Sequence, residues 1–207
     1  MDIIGIFGGT FNPIHNGHLA LAHTVLARLH CQQIRFIPAA IPPHKTAPAV
    51  TAAQRAAMVS LAIADQPAFV LDDCELDRPG TSFTMDTLLT LRQRFPAQSL
   101  MLMIGQDSYV KLPTWHRWRE LLDVANLLVI HRAHSTMHLD LHAEHHGKVV
   151  KLEDAGQRFA ETSHGSLSYL TVTPPDISST RVRGQLMTGD ASVCNDIPPS
   201  VWQYIQQ

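Results

Sequence analysis

Two histidines and two glycines near the start of the chain have residue types and a spacing that suit phosphate chemistry. In the segment GGTFNPIHNGH, Gly8 and Gly9 follow an apolar run and precede His15 and His18, with Gly17 keeping space clear between them. Glycines at a strand end let a ligand approach the backbone, and the free N–H groups of a following helix favour phosphate. Imidazoles at the mouth of that helix add donors. The spacing matches neither G-x-G-x-x-G nor a P-loop, and histidines that merely cap the helix are the alternative.

A second group of phosphate-binding residue types lies near the other end of the chain, in the segment ISSTRVR at 177–183. Ser178 or Ser179 is expected to cap a helix, with Arg183 about one turn inside it. Hydroxyl groups, free N–H groups and a forked guanidinium would together form a second anion cradle. One cradle would hold the α-phosphate of a nucleoside triphosphate and the other its β- and γ-phosphates. An ordinary capped surface helix is the alternative.

Together the two segments resemble the H-x-G-H and I-S-S-T-x-x-R motifs of the nucleotidyltransferase superfamily, at 15–18 and 177–183. Three further segments, IPPHK, GQDSY and LPTWHRW, make almost the whole chain similar to the nicotinate-nucleotide adenylyltransferase family, least so between 133 and 164. The resemblance implies that an adenylyl group passes from ATP to nicotinate mononucleotide, giving the deamido precursor of NAD and pyrophosphate. It also implies Mg²⁺ that arrives with ATP, and no protein ligand for this metal is assigned.

The resemblance also implies residues for each substrate. Those for ATP are expected at both motifs and at the ends of two later strands: Gly8, Gly9, Thr10, Phe11, His15, His18, Gly105, Asp107, Ile130, Arg132, Ser178, Ser179, Thr180 and Arg183. Those for the mononucleotide are expected at His44, Lys45, Thr84, Trp115 and His116. Two assignments stay open: Asp107 either binds ribose or caps a helix, and Trp118 is an alternative to Trp115 for stacking.

Each residue expected at the mononucleotide suits one part of that molecule. Lys45, together with His44, would hold its phosphate, because a lysine ammonium suits phosphate as a point charge. Trp115 would stack on the flat pyridine ring. Backbone N–H groups at Thr84 and His116 would donate to the nicotinate carboxylate, and they would offer nothing to the NH₂ group of the corresponding amide.

The expected catalytic residues are His15, His18 and Arg183. Phosphoryl-type transfer leaves a protein mainly the tasks of positioning and charge stabilisation. The mononucleotide phosphate, already anionic near neutral pH, would attack the α-phosphorus of ATP in line and displace pyrophosphate. Both histidines would serve as hydrogen-bond donors in the transition state rather than as bases. Arg183 would hold the leaving pyrophosphate, whose oxygens Mg²⁺ would bridge.

These residues need a fold that brings distant segments together. Apolar runs predict strands at 3–7, 33–39, 69–76, 99–105, 126–132 and 167–173, and helical periodicity predicts helices at 18–30, 51–65, 84–95, 118–125, 179–187 and 199–206. Alternating strands and helices predict an α/β fold: a doubly wound, Rossmann-like, mostly parallel sheet with helices on both faces. We expect a single domain over 1–207 with a C-terminal helical part.

The resemblance implies ATP and the mononucleotide as partners, and composition argues against two other classes of partner. The chain has 16 Lys and Arg against 18 Asp and Glu, a formal net charge of -2, which favours neither nucleic acid nor an anionic membrane. No apolar segment approaches the ~20 residues of a membrane span, so a cytoplasmic location is expected. Cys31, Cys74 and Cys194 are expected to be buried or incidental thiols. The oligomeric state does not follow from the sequence.

A histidine-rich segment at 131–146 supplies a rival hypothesis. Its histidines at 134, 138, 142 and 146 would share one face of a helix, where they could bind zinc or nickel. A solvated segment that binds metal only adventitiously is the expectation, and a metal-binding or metal-buffering protein is the competing function. A nearer hypothesis keeps adenylyl transfer and changes the acceptor to nicotinamide mononucleotide or phosphopantetheine.

Overall fold

Six parallel strands form one sheet in a computed structural model of the chain, which describes residues 1–41, 50–133, 145, 148–173 and 175–207. The strands are β1 (Ile3–Gly9), β2 (Gln33–Pro38), β3 (Phe69–Leu71), β4 (Ser99–Gly105), β5 (Asn126–Arg132) and β6 (Leu167–Val172). Their order is β3-β2-β1-β4-β5-β6, and every pairing is parallel. The strand order reverses between β1 and β4, so their carboxyl ends border the kind of crevice that binds ligands in open α/β sheets.

Helices connect the strands and continue beyond the last of them. They are α1 (Asn16–Arg28), α2 (Ala52–Ile63), α3 (Thr84–Arg94), α4 (Gln106–Val110), α5 (Leu121–Val124), α6 (Leu152–Glu161), α7 (Ser179–Thr188) and α8 (Pro199–Ile205). Short 3₁₀ turns occupy Leu112–Thr114, Trp118–Glu120 and Ala191–Asn195. Because α7, α8 and the 3₁₀ turn between them follow β6, the predicted C-terminal helical part is confirmed.

The two faces of the sheet bury alternate residues of its strands. Ile4 and Ile6 of β1 lie in one apolar cluster, which is covered by α3, α4 and α5. Ile3 and Phe7 lie in the other, which is covered by α1, α2, α6, α7 and α8. Side chains of successive strand residues point to opposite faces, so a strand covered on both sides reads as a continuous apolar run. The predicted doubly wound sheet is confirmed, and all its strand pairs are parallel.

The structure differs from the predicted elements at a few places. The predicted strand at 69–76 ends at Leu71, because the Asp72 carboxylate accepts the Cys74 N–H at 3.1 Å and closes a turn. The predicted helix at 118–125 begins as a 3₁₀ turn before α5. The prediction omitted α4, which is only 5 residues long, and α6.

The start of α2 shows how local sequence sets an element boundary. Thr51 Oγ1 accepts the Gln54 N–H at 3.2 Å, and Gln54 Oε1 accepts the Thr51 N–H at 2.9 Å. These reciprocal bonds satisfy two N–H groups that the first helical turn cannot pair internally. The sequence pattern Thr51-x-x-Gln54 therefore forms a capping box that sets the start of α2.

The cysteines are free thiols, as expected. Cys31 and Cys74 are buried and Cys194 is exposed. Burial raises the pKa of Cys31 and of Cys74 to about 12, so both remain protonated thiols at neutral pH.

Within the described residues, no helix has both the length and the apolar character that crossing a membrane requires.

Candidate active site

The N-terminus of α1 carries the two histidines as a stacked pair. Their ring centroids lie 3.7 Å apart with planes inclined by 27°. His15 is the N-cap residue and is buried, and its backbone N–H donates to Nδ1 of His18 at 3.2 Å. Because Nδ1 of His18 accepts this bond, the ring proton lies on Nε2, which is then a donor. The capping alternative and the phosphate-binding prediction are thus compatible, since capping uses only one ring nitrogen of His18.

Gly17 is required by the close approach of two segments. A Cβ at this position would lie 3.0 Å from Nδ1 and 3.1 Å from Cε1 of the His15 ring. It would also lie 3.6 Å from the carbonyl oxygen of Ile177, which precedes α7. The role predicted for this glycine, keeping space clear beside the histidines, is confirmed.

The glycines that end β1 have different roles. A Cβ at Gly8 would meet no atom within 4 Å, whereas one at Gly9 would lie 3.0 Å from the Phe11 ring. Phe11 is buried and packs edge-on against His18, with centroids 5.2 Å apart. Gly8 therefore leaves the backbone open to a ligand, and Gly9 admits the aromatic side chain that supports His18. A contact between Phe11 and ATP would have to use the Phe11 backbone.

The N-terminus of α7 lies directly against the loop that leads into α1. Ser179 Oγ donates to the Pro13 carbonyl at 3.0 Å, and Arg183 Nη1 donates to the Asn12 carbonyl at 2.8 Å. Ser178 caps the helix by accepting the Arg181 N–H at 3.2 Å, which resolves the choice between the two serines. Two helix N-termini from distant parts of the sequence therefore meet at one loop.

Thr180 completes the α7 cradle. Its hydroxyl accepts from Nη2 of Arg183 at 3.3 Å, and the Thr180 side chain is exposed. The hydroxyl therefore orients the guanidinium along the first turn of the helix. A forked guanidinium with five N–H groups retains donors for phosphate after bonding one carbonyl and one hydroxyl.

The carboxyl ends of β4 and β5 form the other wall of the crevice. A Cβ at Gly105 would meet no atom within 4 Å, so the backbone is open there as at Gly8. Gly105, not Asp107, is the N-cap of α4, so the capping role left open for Asp107 is wrong. Asp107 is exposed in the first turn of α4, and its predicted contact with ribose stays a prediction.

Gln106 and His131, which were not predicted as site residues, join these two strand ends. Gln106 Oε1 accepts from Nδ1 of His131, and both side chains are buried. His131 follows directly after Ile130, one of the residues expected to bind ATP, and the side chain of Arg132 is outside the described part. A glutamine directly after a buried strand was the sequence signal that could have indicated this link.

The histidine-rich segment is not wholly solvated, contrary to the expectation. His145 is buried, its Nδ1 lies 3.1 Å from the Tyr109 hydroxyl, and its ring lies 6.0 Å from that of Trp118. His131 is buried as well. The histidines at 134, 138, 142 and 146 lie outside the described residues. In the described ranges, no group of three His, Cys, Asp or Glu side chains is placed to hold a metal ion.

The predicted nicotinate-binding residues converge through an aromatic contact. Thr84 is the first residue of α3, and the ring of the preceding Phe83 packs on that of His116 with centroids 4.7 Å apart. Trp115 is half-buried, whereas Trp118 is only 7% exposed and lies in the core. Trp115 is therefore the tryptophan that remains available for stacking on a pyridine ring. His44 and Lys45, predicted to hold the mononucleotide phosphate, lie outside the described residues.

Asp72 and Glu75 are buried carboxylates whose pKa values are shifted in opposite directions. Burial alone would raise the pKa of Asp72, but hydrogen bonds from Arg35 and Cys74 outweigh it and hold the pKa below its ordinary value. Burial raises the pKa of Glu75, whose Oε1 accepts the Thr87 hydroxyl at 2.6 Å. The charged form of Asp72 is thus stabilised by the fold, and the charged form of Glu75 is disfavoured.

Comparison with known proteins first defines a class. The model of the cytidylyltransferase-like family matches residues 6–185, a range that includes the histidine pair and most of α7. A solved structure of a Plasmodium falciparum nicotinic acid mononucleotide adenylyltransferase has the same fold, with a TM-score of 0.72 at 17% identity over 99% of this chain and 95% of that one. The chain therefore belongs to the cytidylyltransferase-like family, and it shares its fold with that solved structure.

Relatives with higher identity narrow this class. A protein of Hydrogenovibrio crunogenus is 42% identical over 207 residues, which cover 99% of this chain and 95% of the relative. A protein of Aeromonas hydrophila subsp. hydrophila is 41% identical over 209 residues, which cover 99% of this chain and 94% of the relative. Both carry the name "Probable nicotinate-nucleotide adenylyltransferase". The chain belongs to the nicotinate-nucleotide adenylyltransferase family.

Proposed function

We propose that this protein transfers the adenylyl group of ATP to nicotinate mononucleotide and releases pyrophosphate, in the biosynthesis of NAD. The observation that carries the proposal is the meeting, at one loop, of the two helix ends that are predicted to bind phosphate. Arg183 of α7 donates to the Asn12 carbonyl at 2.8 Å, three residues before the N-cap histidine of α1. One triphosphate can therefore contact the α1 end, the α7 end and the open backbone at Gly8.

The names of relatives and solved structures support the choice of substrates. The Plasmodium falciparum enzyme was solved in complex with NaAD, and a second structure of it in complex with APC. The acceptor assignment for this chain rests on the family and on the residues at the start of α3 and at 115–116. The expected cytoplasmic location is part of the same proposal.

His18 acts as a hydrogen-bond donor in this reaction. Its Nδ1 accepts the His15 N–H, so the ring proton is on Nε2, and we expect this N–H to donate to a ligand's oxygens. The acceptor phosphate is already an anion near neutral pH, and no base is needed to activate it. A donor that strengthens its bond as negative charge develops on the α-phosphate lowers the barrier of the transfer step.

Arg183 and the first turn of α7 bind the pyrophosphate that leaves. Charge-assisted bonds from a guanidinium and free helical N–H groups stabilise the charge that accumulates on the leaving group. The described side chains at the two helix ends are imidazole, hydroxyl and guanidinium groups, and the described residues contain no group of three His, Cys, Asp or Glu placed to hold a metal ion. These side chains would suit a nucleotide that brings its own Mg²⁺, and the metal would supply further charge compensation.

Backbone donors at Thr84 and His116 select the acid form of the mononucleotide. Thr84 is the first residue of α3, where a helical N–H has no internal acceptor. In the described part of the chain, no hydrogen bond uses the N–H of Thr84 or of His116. Two such donors bind a carboxylate, and they leave the NH₂ group of an amide facing other donors. Trp115 stacks on the ring that bears this group.

One assay tests the reaction and the acceptor together. Two reactions contain the purified chain, ATP and Mg²⁺; one also contains nicotinate mononucleotide and the other nicotinamide mononucleotide. Pyrophosphate release is followed in both. We expect fast release with nicotinate mononucleotide. Release with nicotinamide mononucleotide should be slower by ~100-fold or more, because backbone N–H groups that bind a carboxylate reject the NH₂ donor. No release is expected after chelation of Mg²⁺ by EDTA. Release with neither mononucleotide would refute the proposal, and release with the amide alone would assign the other acceptor.

A further inference from the structure

Arg55 of α2 is a fully buried guanidinium that joins the loop after β1 to the turn after β2. It is 1% exposed, Nη1 donates to the Thr10 carbonyl at 2.7 Å, and Nη2 donates to the Ala39 carbonyl at 2.6 Å and to that of Ala40 at 3.3 Å. Thr10 belongs to the loop between β1 and α1. Ala39 and Ala40 follow β2 and lead into the segment expected to hold the mononucleotide phosphate. A single side chain thus links the ATP loop to the mononucleotide side.

The turn at 39–41 is held from its opposite side by Ser82. Ser82 Oγ accepts the N–H of Ala40 at 3.0 Å and that of Ile41 at 3.4 Å, and the Ser82 N–H donates to the Ile41 carbonyl at 3.0 Å. Ser82 lies two residues before Thr84, one of the residues proposed to bind the nicotinate carboxylate. Arg55, the turn and Ser82 therefore form a continuous set of hydrogen bonds from the ATP side to the nicotinate side.

The same chemistry occurs once more at the other end of the sheet, in Arg92 of α3. Arg92 Nη1 donates to the carbonyls of Phe95 at 3.1 Å and Gln98 at 2.7 Å, and Nη2 donates to those of Val124 and Ser163, both at 2.8 Å. These carbonyls precede β4, β5 and β6 at their amino ends. Among the described residues, neither arginine forms an ion pair with a carboxylate. Arg92 is a matched control for a guanidinium that bonds backbone carbonyls away from the crevice.

We propose that Arg55 is a positioning residue for adenylyl transfer, because it sets the distance between the loop that holds ATP and the turn that leads to the mononucleotide. This inference rests on the proposed function. In-line transfer requires the attacking phosphate oxygen and the α-phosphorus to be aligned, and a displacement of about 1 Å costs up to ~100-fold in rate. Lysine cannot replace Arg55, since its single ammonium cannot bond three carbonyls in a fixed fork.

The test compares R55K and R55M with R92K and R92M. For each variant, kcat is measured with both substrates saturating, KM is measured for each substrate, and the free energy of unfolding is measured by denaturant titration. We expect both pairs of variants to lose stability. We expect kcat to fall ~10–100-fold in both Arg55 variants, since misalignment slows the transfer step itself. The Arg92 variants should keep kcat within about twofold.

S82A provides a second route to the same conclusion if the Arg55 variants do not fold. It leaves the guanidinium in place and removes the acceptor of the Ala40 and Ile41 N–H groups, so kcat should again fall more than about fivefold at saturation. Unchanged kcat in the folded Arg55 variants, or in S82A where those do not fold, would overturn the inference. An equal loss of kcat in the Arg92 variants would also overturn it. An inactive wild-type chain would instead refute the proposed function.

Discussion

At the carboxyl edge of the sheet, where the strands end, backbone groups are open to a ligand. At the amino edge, where the strands begin, backbone groups are hydrogen-bonded by side chains. At the carboxyl edge, a Cβ at Gly8 or Gly105 would meet no atom within 4 Å, and two helices present their N-termini. At the amino edge, the carbonyls before the strands are bonded by Arg92, and Asn126 bonds three neighbouring groups. One edge keeps donors available for a ligand, and the other uses its polar groups for stability.

This difference follows from parallel strand geometry. Every strand ends at the same edge, so the helices that follow them begin there and point their positive N-terminal dipoles toward it. Phosphate binding is favourable at that edge and unfavourable at the other. A substitution at the carboxyl edge should therefore change the rate more than the stability, and a substitution at the amino edge should do the reverse.

The largest effect is expected for H18A at the carboxyl edge. Loss of the Nε2 donor should lower kcat by ~100-fold or more and change KM little, because the bond strengthens as charge develops. Steady-state kinetics with both substrates varied would measure this. His23 lies on the same helix with its side chain exposed, so H23A should keep kcat within about twofold. A rise in KM with kcat unchanged in H18A would show that the ring only binds substrate.

The next largest loss of kcat is expected for G17A. The added Cβ would lie 3.0 Å from the His15 ring, which must move and displace its stacked partner. We expect kcat to fall by ~10–100-fold. G184A is the matched control, because a Cβ at Gly184 of α7 meets nothing within 4 Å and alanine favours a helix by about 0.5–1 kcal/mol. Kinetic constants and thermal unfolding are measured for both variants. Full activity of G17A would contradict the tight packing of Gly17 against the His15 ring.

At the amino edge, N126A should reduce stability and spare the rate. Asn126 donates to Ser99 Oγ and to the Thr162 carbonyl, and it accepts the Ser166 N–H, all at 2.9 Å. Removing it leaves buried groups unpaired, so the free energy of unfolding should fall by about 2 kcal/mol. Urea titration and the pyrophosphate assay measure the two effects. A loss of kcat equal to that of H18A would break the contrast between the edges.

The smallest effect concerns pH and Asp72, at the carboxyl end of β3 but away from the crevice. Its Oδ2 lies 2.7 Å from Nε of Arg35, and its pKa is held below the ordinary value. A depressed pKa stabilises the fold above the ordinary Asp pKa of about 3.9, and this contribution is lost as pH falls through the folded-state pKa. D72N should therefore cost about 1–2 kcal/mol at pH 7, and less as the pH falls below about 4.

E75Q should show the opposite trend in the same titrations. Burial raises the pKa of Glu75, so its contribution to stability is present below its ordinary pKa of about 4.3 and is lost as pH rises through the folded-state value. Relative to the wild type, E75Q should therefore gain stability as the pH rises from about 4 to about 8. Parallel pH trends in D72N and E75Q would contradict the opposite pKa shifts of the two carboxylates.

Much of the fold could be predicted because its signals are local. Strand β4 is a continuous apolar run, and its predicted bounds, 99–105, agree with the structure. Thr51 and Gln54 identify the start of α2 through bonds between residues three apart. Helix α4 could not be predicted in this way, because a helix of 5 residues has too few turns to show periodicity.

The residues of the candidate site also differ in whether local sequence could predict them. The chemistry expected of His15, His18 and Arg183 was predicted from their residue types and spacing, and it stays a prediction. The roles of Arg55 and Gln106 depend on carbonyls or side chains that lie 25 or more residues away, apart from the two in the turn after β2. Buried polar side chains of this kind have no periodicity of their own, so they are found only once their partners are placed.

The sequence by itself determined the alternation of strands and helices, the prediction of phosphate binding at the two motifs and the family to which they point, because each depends on residue types within one short segment. Only the tertiary structure decided that Arg183 reaches the loop before α1, that Trp115 rather than Trp118 is accessible, and that His131 and His145 are buried. These facts depend on which distant segments share a sheet edge, and side-chain packing across that edge is not encoded in any one segment.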